Sequence, residues 1–102
     1  IVEEMPEFPG GQAEMMKYIQ KNVQYPQMAK EAGISGKCFC SFVVAPSGDI
    51  TDVKVVKGVP GCGDCDKEAM RVIRSMPNWK PGKQTGRSVP VRVTIPINYT
   101  LK

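Results

Sequence analysis

Four cysteines in two closely spaced pairs are the residues of this chain best suited to chemistry. One residue separates Cys38 from Cys40, and two separate Cys62 from Cys65. Cysteine thiols can form disulfides, bind zinc or act as nucleophiles, and their number and spacing limit which of these is available. An even count favours disulfides, and Cys62 with Cys65 is the easiest local pair.

Three interpretations of the cysteines stay open at the level of sequence. They are buried thiols that act as small hydrophobic side chains, one or two disulfides, and a four-cysteine zinc site. The disulfides could include a cross-link between the two pairs, and the zinc site would require Cys38 and Cys40 to leave a core-facing position. A redox enzyme centred on Cys62 and Cys65 is disfavoured, because nothing around them resembles the thioredoxin strand pattern.

The absence of histidine further limits the functions that this chain could perform. It excludes serine–histidine and cysteine–histidine catalytic devices and any histidine-ligated metal site. We therefore expect no catalytic residue and no cofactor. We also expect no bound metal, with the four-cysteine zinc site as the open alternative. The net charge of +4 comes from scattered basic residues, with the densest group at Lys80, Lys83 and Arg87. Nucleic acid binding would need a concentrated basic stripe, so nucleic acid is not an expected partner.

The composition is that of one globular domain, with 41% hydrophobic and 24% charged residues among 102. No apolar run approaches the roughly 18 residues of a membrane span. The chain begins at Ile1 rather than Met, so we expect a targeting or anchoring segment to precede it in the whole protein.

Hydrophobic spacing and turn residues predict six elements that would position the cysteines. They are helices over 12–22 and 26–32, strands over 37–45 and 50–57, a helix capped by Asp64 or Asp66 and stopped by Pro77, and a final strand over 89–101. Residues 1–11 are predicted to be an irregular N-terminal segment, and 12–102 the domain. This order predicts an α+β fold, with helices packed on one face of an antiparallel sheet. With the three predicted strands numbered along the chain, their directions require the sheet order 2-1-3. The final strand therefore lies at an edge of the sheet.

The final strand carries the clearest pattern in the sequence. Over 89–101 every odd residue is apolar and every even residue is polar or proline, which is typical of a strand with one buried face. Pro90 and Pro96 share the even parity, and proline is tolerated only where no ladder bond is needed. The even residues should therefore face an open edge, which either resists aggregation or docks an extended peptide. The remaining donors on that edge are Arg92, Thr94, Asn98 and Thr100.

An ordered series of short motifs resembles the TonB C-terminal domain family and covers about residues 8–101. The series is Gln24-Tyr25-Pro26, Gly33-Ile34-Ser35-Gly36, Ser47-Gly48-Asp49-Ile50, Asp66-Lys67-Glu68-Ala69, Met76-Pro77-Asn78-Trp79, Val89-Pro90-Val91 and Ile95-Pro96-Ile97. The opening Phe8-Pro9-Gly10-Gly11 resembles the variant common in Bacteroidetes-type envelope proteins. Each motif alone is weak, but the ordered series is specific.

The resemblance implies a periplasmic domain that transmits inner-membrane energy to outer-membrane transporters. A short extended segment of the transporter would add as a strand to the last strand of the domain. The implied contact residues are Gln24, Tyr25, Pro26, Arg92, Val93, Thr94, Ile95 and Asn98. The resemblance also implies an inner-membrane tether through an absent N-terminal segment, which would meet proton-driven motor proteins. An open edge further permits a strand-swapped homodimer.

The cysteines depart from the family, whose members usually carry aliphatic residues at positions 38, 40 and 65. The oxidising periplasm implied by the resemblance favours disulfides among Cys38, Cys40, Cys62 and Cys65. The rival hypotheses are a cysteine-based redox or zinc-binding regulatory domain and the sensor tail of a larger membrane receptor. A count of free thiols and bound zinc distinguishes the cysteine rival from the binding module.

Overall fold

A three-stranded antiparallel sheet organises the chain in the computed structural model, which describes residues 2–101. The elements are α1 (Gln12–Asn22), α2 (Gln27–Glu31), β1 (Gly36–Val44), β2 (Ile50–Lys57), α3 (Gly63–Arg74), β3 (Gly82–Gln84), β4 (Arg87–Val89) and β5 (Val91–Tyr99). Ile1 and Lys102, the outermost residues of the predicted segment and domain, lie outside the described residues.

The sheet order β2-β1-β5 confirms the predicted topology. The central strand β1 pairs antiparallel with β5 over nine residues, from Gly36 opposite Tyr99 to Val44 opposite Val91. The core-facing side of β1 is fully buried, with Cys38, Cys40 and Phe42 inaccessible to solvent. Helix α3 packs on β1 and β2 and buries a stripe that includes Ala69, Val72 and Ile73. The fold is therefore α+β, as predicted.

Strand β2 is less regular than its sequence suggests. Its pairing with β1 shifts register twice, between Phe39 and Cys40 and again between Ser41 and Val43. Asp52 has a positive φ of 50° within the second irregularity. Such bulges bend a strand and re-aim its side chains, which here places the Asp52 carboxylate beside Arg92 of β5.

The final strand is shorter than predicted, and the loop before it contains a strand. Val89 pairs with Gly82 in a separate two-stranded hairpin of β3 and β4, so the prediction of one strand over 89–101 is wrong. The hairpin turn is Thr85-Gly86, both with positive φ, which is the backbone of the tight turns that suit β-hairpins. Pro90 has no N–H and lies at the junction where the chain changes partner.

Helix α3 begins earlier than predicted and ends earlier. Its N-cap is Cys62, whose sulfur accepts a hydrogen bond of 3.0 Å from the backbone N–H of Cys65. Asp66 does not cap the helix, because its carboxylate accepts the N–H of Val59 at 2.9 Å instead. Asp64 lies in the first turn, where the helix dipole favours an acid. The helix ends at Arg74, three residues before Pro77.

The N-terminal segment packs onto the domain. Phe8 is buried and stacks on Trp79 with ring centroids 5.9 Å apart. Glu4 and Glu7 form isolated antiparallel bridges with Lys83 and Lys80. The segment therefore joins the core through one aromatic side chain and the hairpin region through its backbone. Within residues 2–101 the structure contains no helix that could serve as a membrane span.

Candidate partner-binding edge

In the described part of the chain, the outer edge of β5 carries backbone groups that pair with no other strand. Pro96 lies opposite Phe39, and since proline cannot donate, this pair exchanges no hydrogen bonds. Bonded and non-bonded pairs alternate along an antiparallel ladder, so Ile95 and Ile97 bond to β1. The N–H and C=O groups of Thr94 and Asn98 consequently point outward, and the three-stranded sheet ends at this edge within residues 2–101. We call the outward backbone groups of Arg92, Thr94 and Asn98 the docking edge.

The side chain of Arg92 is directed inward, away from the docking edge. Its guanidinium donates a 2.7 Å hydrogen bond to the Ser41 hydroxyl on β1 and forms an ion pair with Asp52 on β2. The network therefore ties all three strands together on the face opposite the helices. Of the predicted contact residues, Arg92 thus leaves mainly its backbone available at the edge.

Two recesses lie along the core side of β5, and α1 lines both. The Trp79 recess has a volume of about 400 Å³. Its lining includes Phe8, Gln12, Met15, Trp79, Val93 and Ile95. The Tyr25 recess has a volume of about 530 Å³. Its lining includes Met16, Ile19, Gln20, Tyr25, Asn98 and Tyr99.

The predicted contact residues fall into two groups along this edge. The ring of Tyr25 meets that of Tyr99 edge-on at a centroid distance of 5.3 Å, and Tyr25 shares its recess with Asn98. Val93 and Ile95 line the other recess, toward the N-terminal end of β5. The structure therefore places the Gln24-Tyr25-Pro26 segment beside the C-terminal half of β5, while Arg92 and Thr94 lie toward the opposite end.

Glu68 of α3 holds the segment that contains Tyr25. Its carboxylate accepts a 2.7 Å hydrogen bond from the backbone N–H of Gln24 and two more from the guanidinium of Arg71. Arg71 also donates to the carbonyl of Asn22 at 3.0 Å. The hydrogen bond from Arg71 is the main cause that lowers the pKa of Glu68. Sequence reasoning missed this support, because no spacing rule connects residues so distant in the chain.

The cysteines occupy two different environments. Cys62 and Cys65 form a disulfide, whereas Cys38 and Cys40 are free thiols with their sulfurs 3.6 Å apart. Burial raises the pKa of both free thiols, which keeps them protonated and unreactive. Among the described residues no group of three or more Cys, His, Asp or Glu side chains is arranged to hold a metal.

A comparison with known families decides what kind of domain carries this edge. The family model described as Gram-negative bacterial TonB protein C-terminal matches residues 21–101. The chain belongs to the TonB C-terminal family. The match includes Gln24-Tyr25-Pro26 and all of β5, while most of α1 precedes it.

Curated relatives and solved structures agree with the TonB assignment. Protein TonB from Helicobacter pylori strains 26695 and J99 is 33% identical over 98 residues, which cover 92% of this chain and 33% of each relative. The chain thus spans about a third of the length of the curated relatives it matches. A solution structure of the H. pylori TonB C-terminal domain superimposes with a TM-score of 0.67 at 31% identity, covering 88% of this chain and 92% of that one. A longer version gives 0.63 at 32% identity, covering 92% and 87%.

Proposed function

We propose that the chain is the partner-binding module of a TonB-like energy transducer and acts by binding rather than by catalysis. It docks an extended segment of an outer-membrane transporter as an added strand on β5. The module works in the periplasm, tethered to the inner membrane and its proton-driven motor proteins through other parts of the whole protein.

The observation that carries the proposal is the outer edge of β5, which pairs with no strand within residues 2–101, in a domain of this family. Main-chain hydrogen bonds to an added strand give affinity that depends little on sequence. Pro96 interrupts this edge and Pro90 lies just before it, so few backbone donors are available for pairing. A short window favours a small interface that can form and dissociate repeatedly.

A titration with a transporter-derived peptide tests this function. The ¹⁵N-labelled domain should show amide shifts concentrated in residues 91–99 and around Tyr25. Shifts that spare β5 altogether would overturn strand addition as the binding mode.

A proline substitution at the docking edge makes the test specific. The N–H of Thr94 faces outward, so Thr94→Pro removes a docking donor without removing a bond to β1, and edge strands tolerate proline. We expect this variant to fold and to lose peptide binding by tenfold or more, on the order expected when backbone pairing is blocked. Thr94→Val is the matched control, because it changes the side chain but keeps the N–H. Equal binding by both variants would contradict the proposal.

A further inference from the structure

Helix α1 lines both recesses beside β5, and this arrangement bears on which segments the edge can accept. Met15 lines the Trp79 recess, while Met16 and Ile19 line the Tyr25 recess. On the β5 side, the first recess is bounded by Val93 and Ile95. The second is bounded by Pro96, Asn98, Tyr99 and Thr100. The two recesses are therefore centred about four residues apart along the strand.

Strand geometry fixes which side chains of an added strand would reach the recesses. A residue directly opposite another across a ladder projects from the same face of the sheet. Positions opposite Ile95 and Tyr99 would therefore project toward the helix side, into the Trp79 and Tyr25 recesses respectively. The intervening positions would project onto the face that carries Thr94. Four residues of extended chain span about 13 Å, which matches the offset of the recesses.

We propose that the α1 recesses select the docked segment by its side chains, a step that rests on the proposed strand addition. The preferred partner is an extended peptide with two large apolar side chains four residues apart. Both project from one face. The residue midway between them is small, because it would lie opposite Ile97, which lines neither recess. The apolar linings supplied by Met15, Trp79 and Ile19 favour this chemistry, because burying apolar side chains removes them from water.

Two acetylated peptides of identical composition test the spacing rule. Thr-Leu-Thr-Ser-Thr-Leu-Thr places its leucines on one face, whereas Thr-Leu-Thr-Ser-Leu-Thr-Thr places them on opposite faces. We expect the first to bind roughly tenfold more tightly or better, since only it buries both leucines. The single tryptophan of the chain makes the indole N–H of Trp79 an unambiguous reporter of its recess, and it should shift with the first peptide.

Exposed residues of α1 provide the matched variants. Gln12 and Gln20 are exposed and each lines one recess, so Gln12→Phe and Gln20→Phe should each partly fill a recess. We expect each to weaken binding of the first peptide by roughly 3–10-fold, which is the loss of affinity expected when one leucine of the peptide is no longer buried in its recess. Ala13→Phe adds the same ring at an exposed position of α1 outside both recess linings, and should leave binding unchanged.

The readouts separate failure of this inference from failure of strand addition. Equal affinity for the two peptides, with amide shifts in β5 and an unmoved Trp79 indole, would leave docking intact and overturn selection by the recesses. Selection by the recesses is likewise overturned if Ala13→Phe weakens binding as much as Gln12→Phe. If neither peptide shifts the amide resonances of β5, both strand addition and selection by the recesses are refuted.

Discussion

The carboxylate of Glu68 accepts the backbone N–H of Gln24 at 2.7 Å, although 44 residues separate them in sequence. The Glu68 side chain is 13% exposed and also binds Arg71. One partly buried carboxylate therefore connects α3 to the segment that carries Tyr25, and any loss of its charge should loosen that segment.

Glu68→Gln should destabilise the domain in a pH-dependent way. The pKa of Glu68 lies below its ordinary value of 4.5, chiefly because of the hydrogen bond from Arg71. Its stabilisation is therefore complete above about pH 4.5 and is lost as the pH falls through the lowered pKa. We expect the variant to lose about 1–2 kcal/mol of unfolding free energy at pH 7, a difference that shrinks at low pH. Urea unfolding between pH 3 and pH 7 measures it.

The control for that series is Glu14→Gln. Glu14 pairs with Lys17 at 3.4 Å, but both side chains are more than half exposed. Exposed pairs contribute little, so the change should stay within about 0.5 kcal/mol. A Glu14 variant as destabilised as the Glu68 variant would contradict the assigned role of Glu68.

Tyr99→Phe should weaken the attachment of β5 to α3. The Tyr99 hydroxyl donates a 2.7 Å hydrogen bond to the carbonyl of Cys65, and the residue is only 2% exposed. Water cannot replace this bond, so we expect a loss of about 1 kcal/mol in unfolding free energy. Tyr18→Phe removes a comparable bond to Ser75 at an exposed site and should cost less than half as much. Equal losses would show that burial is not the deciding factor.

Gly48→Ala should be severely destabilising. Gly48 has a φ of 93°, and a Cβ there would lie 2.4 Å from the carbonyl oxygen of Trp79. Strain and overlap together should cost about 2–4 kcal/mol. Gly63→Ala is the matched control, because a Cβ there has no neighbour within 4 Å and the residue begins α3. It should be neutral or slightly stabilising in thermal unfolding, and a similar loss at both sites would refute the explanation.

Reduction of the Cys62–Cys65 disulfide should lower stability modestly. The bond closes a very short loop, for which chain-entropy arguments give about 2 kcal/mol. Thermal unfolding with and without a phosphine reductant measures the loss. Thiol titration should find no reactive group in the native domain and, without reductant, only Cys38 and Cys40 in denaturant. Four reactive thiols in denaturant would rule out the disulfide.

Sequence patterns predicted the sheet well because strand order depends on connections that are visible in the chain. A tight hairpin and one crossover helix leave a single antiparallel order, and Pro96, the proline that lies within β5, indicates the open side independently. The alternation of apolar and polar residues over 89–101, in contrast, gave a wrong prediction at Val89. Side-chain periodicity continues when a strand changes partner, so it cannot reveal that Val89 pairs with Gly82 rather than with β1.

The recesses could not be predicted from spacing, because they depend on long-range packing. The apolar pattern of α1 identified a helix but not its position beside β5. The contact between Phe8 and Trp79 brings the N-terminal segment into the wall of one recess. The cap of α3 was missed for a related reason, since Asp66 binds Val59 in a preceding loop and leaves the cap to Cys62.

The long separation between β1 and β5 has a consequence for the order of folding. Their paired residues lie 47 to 63 positions apart in the chain, whereas those of β1 and β2 lie at most 18 apart. Closing longer loops costs more entropy, and non-local pairing slows folding. The β1–β2 hairpin should thus gain amide protection before β5 in pulsed hydrogen exchange. A nascent or damaged chain would therefore lack the docking edge until its last strand is in place, so the proposed transporter binding would require completed folding.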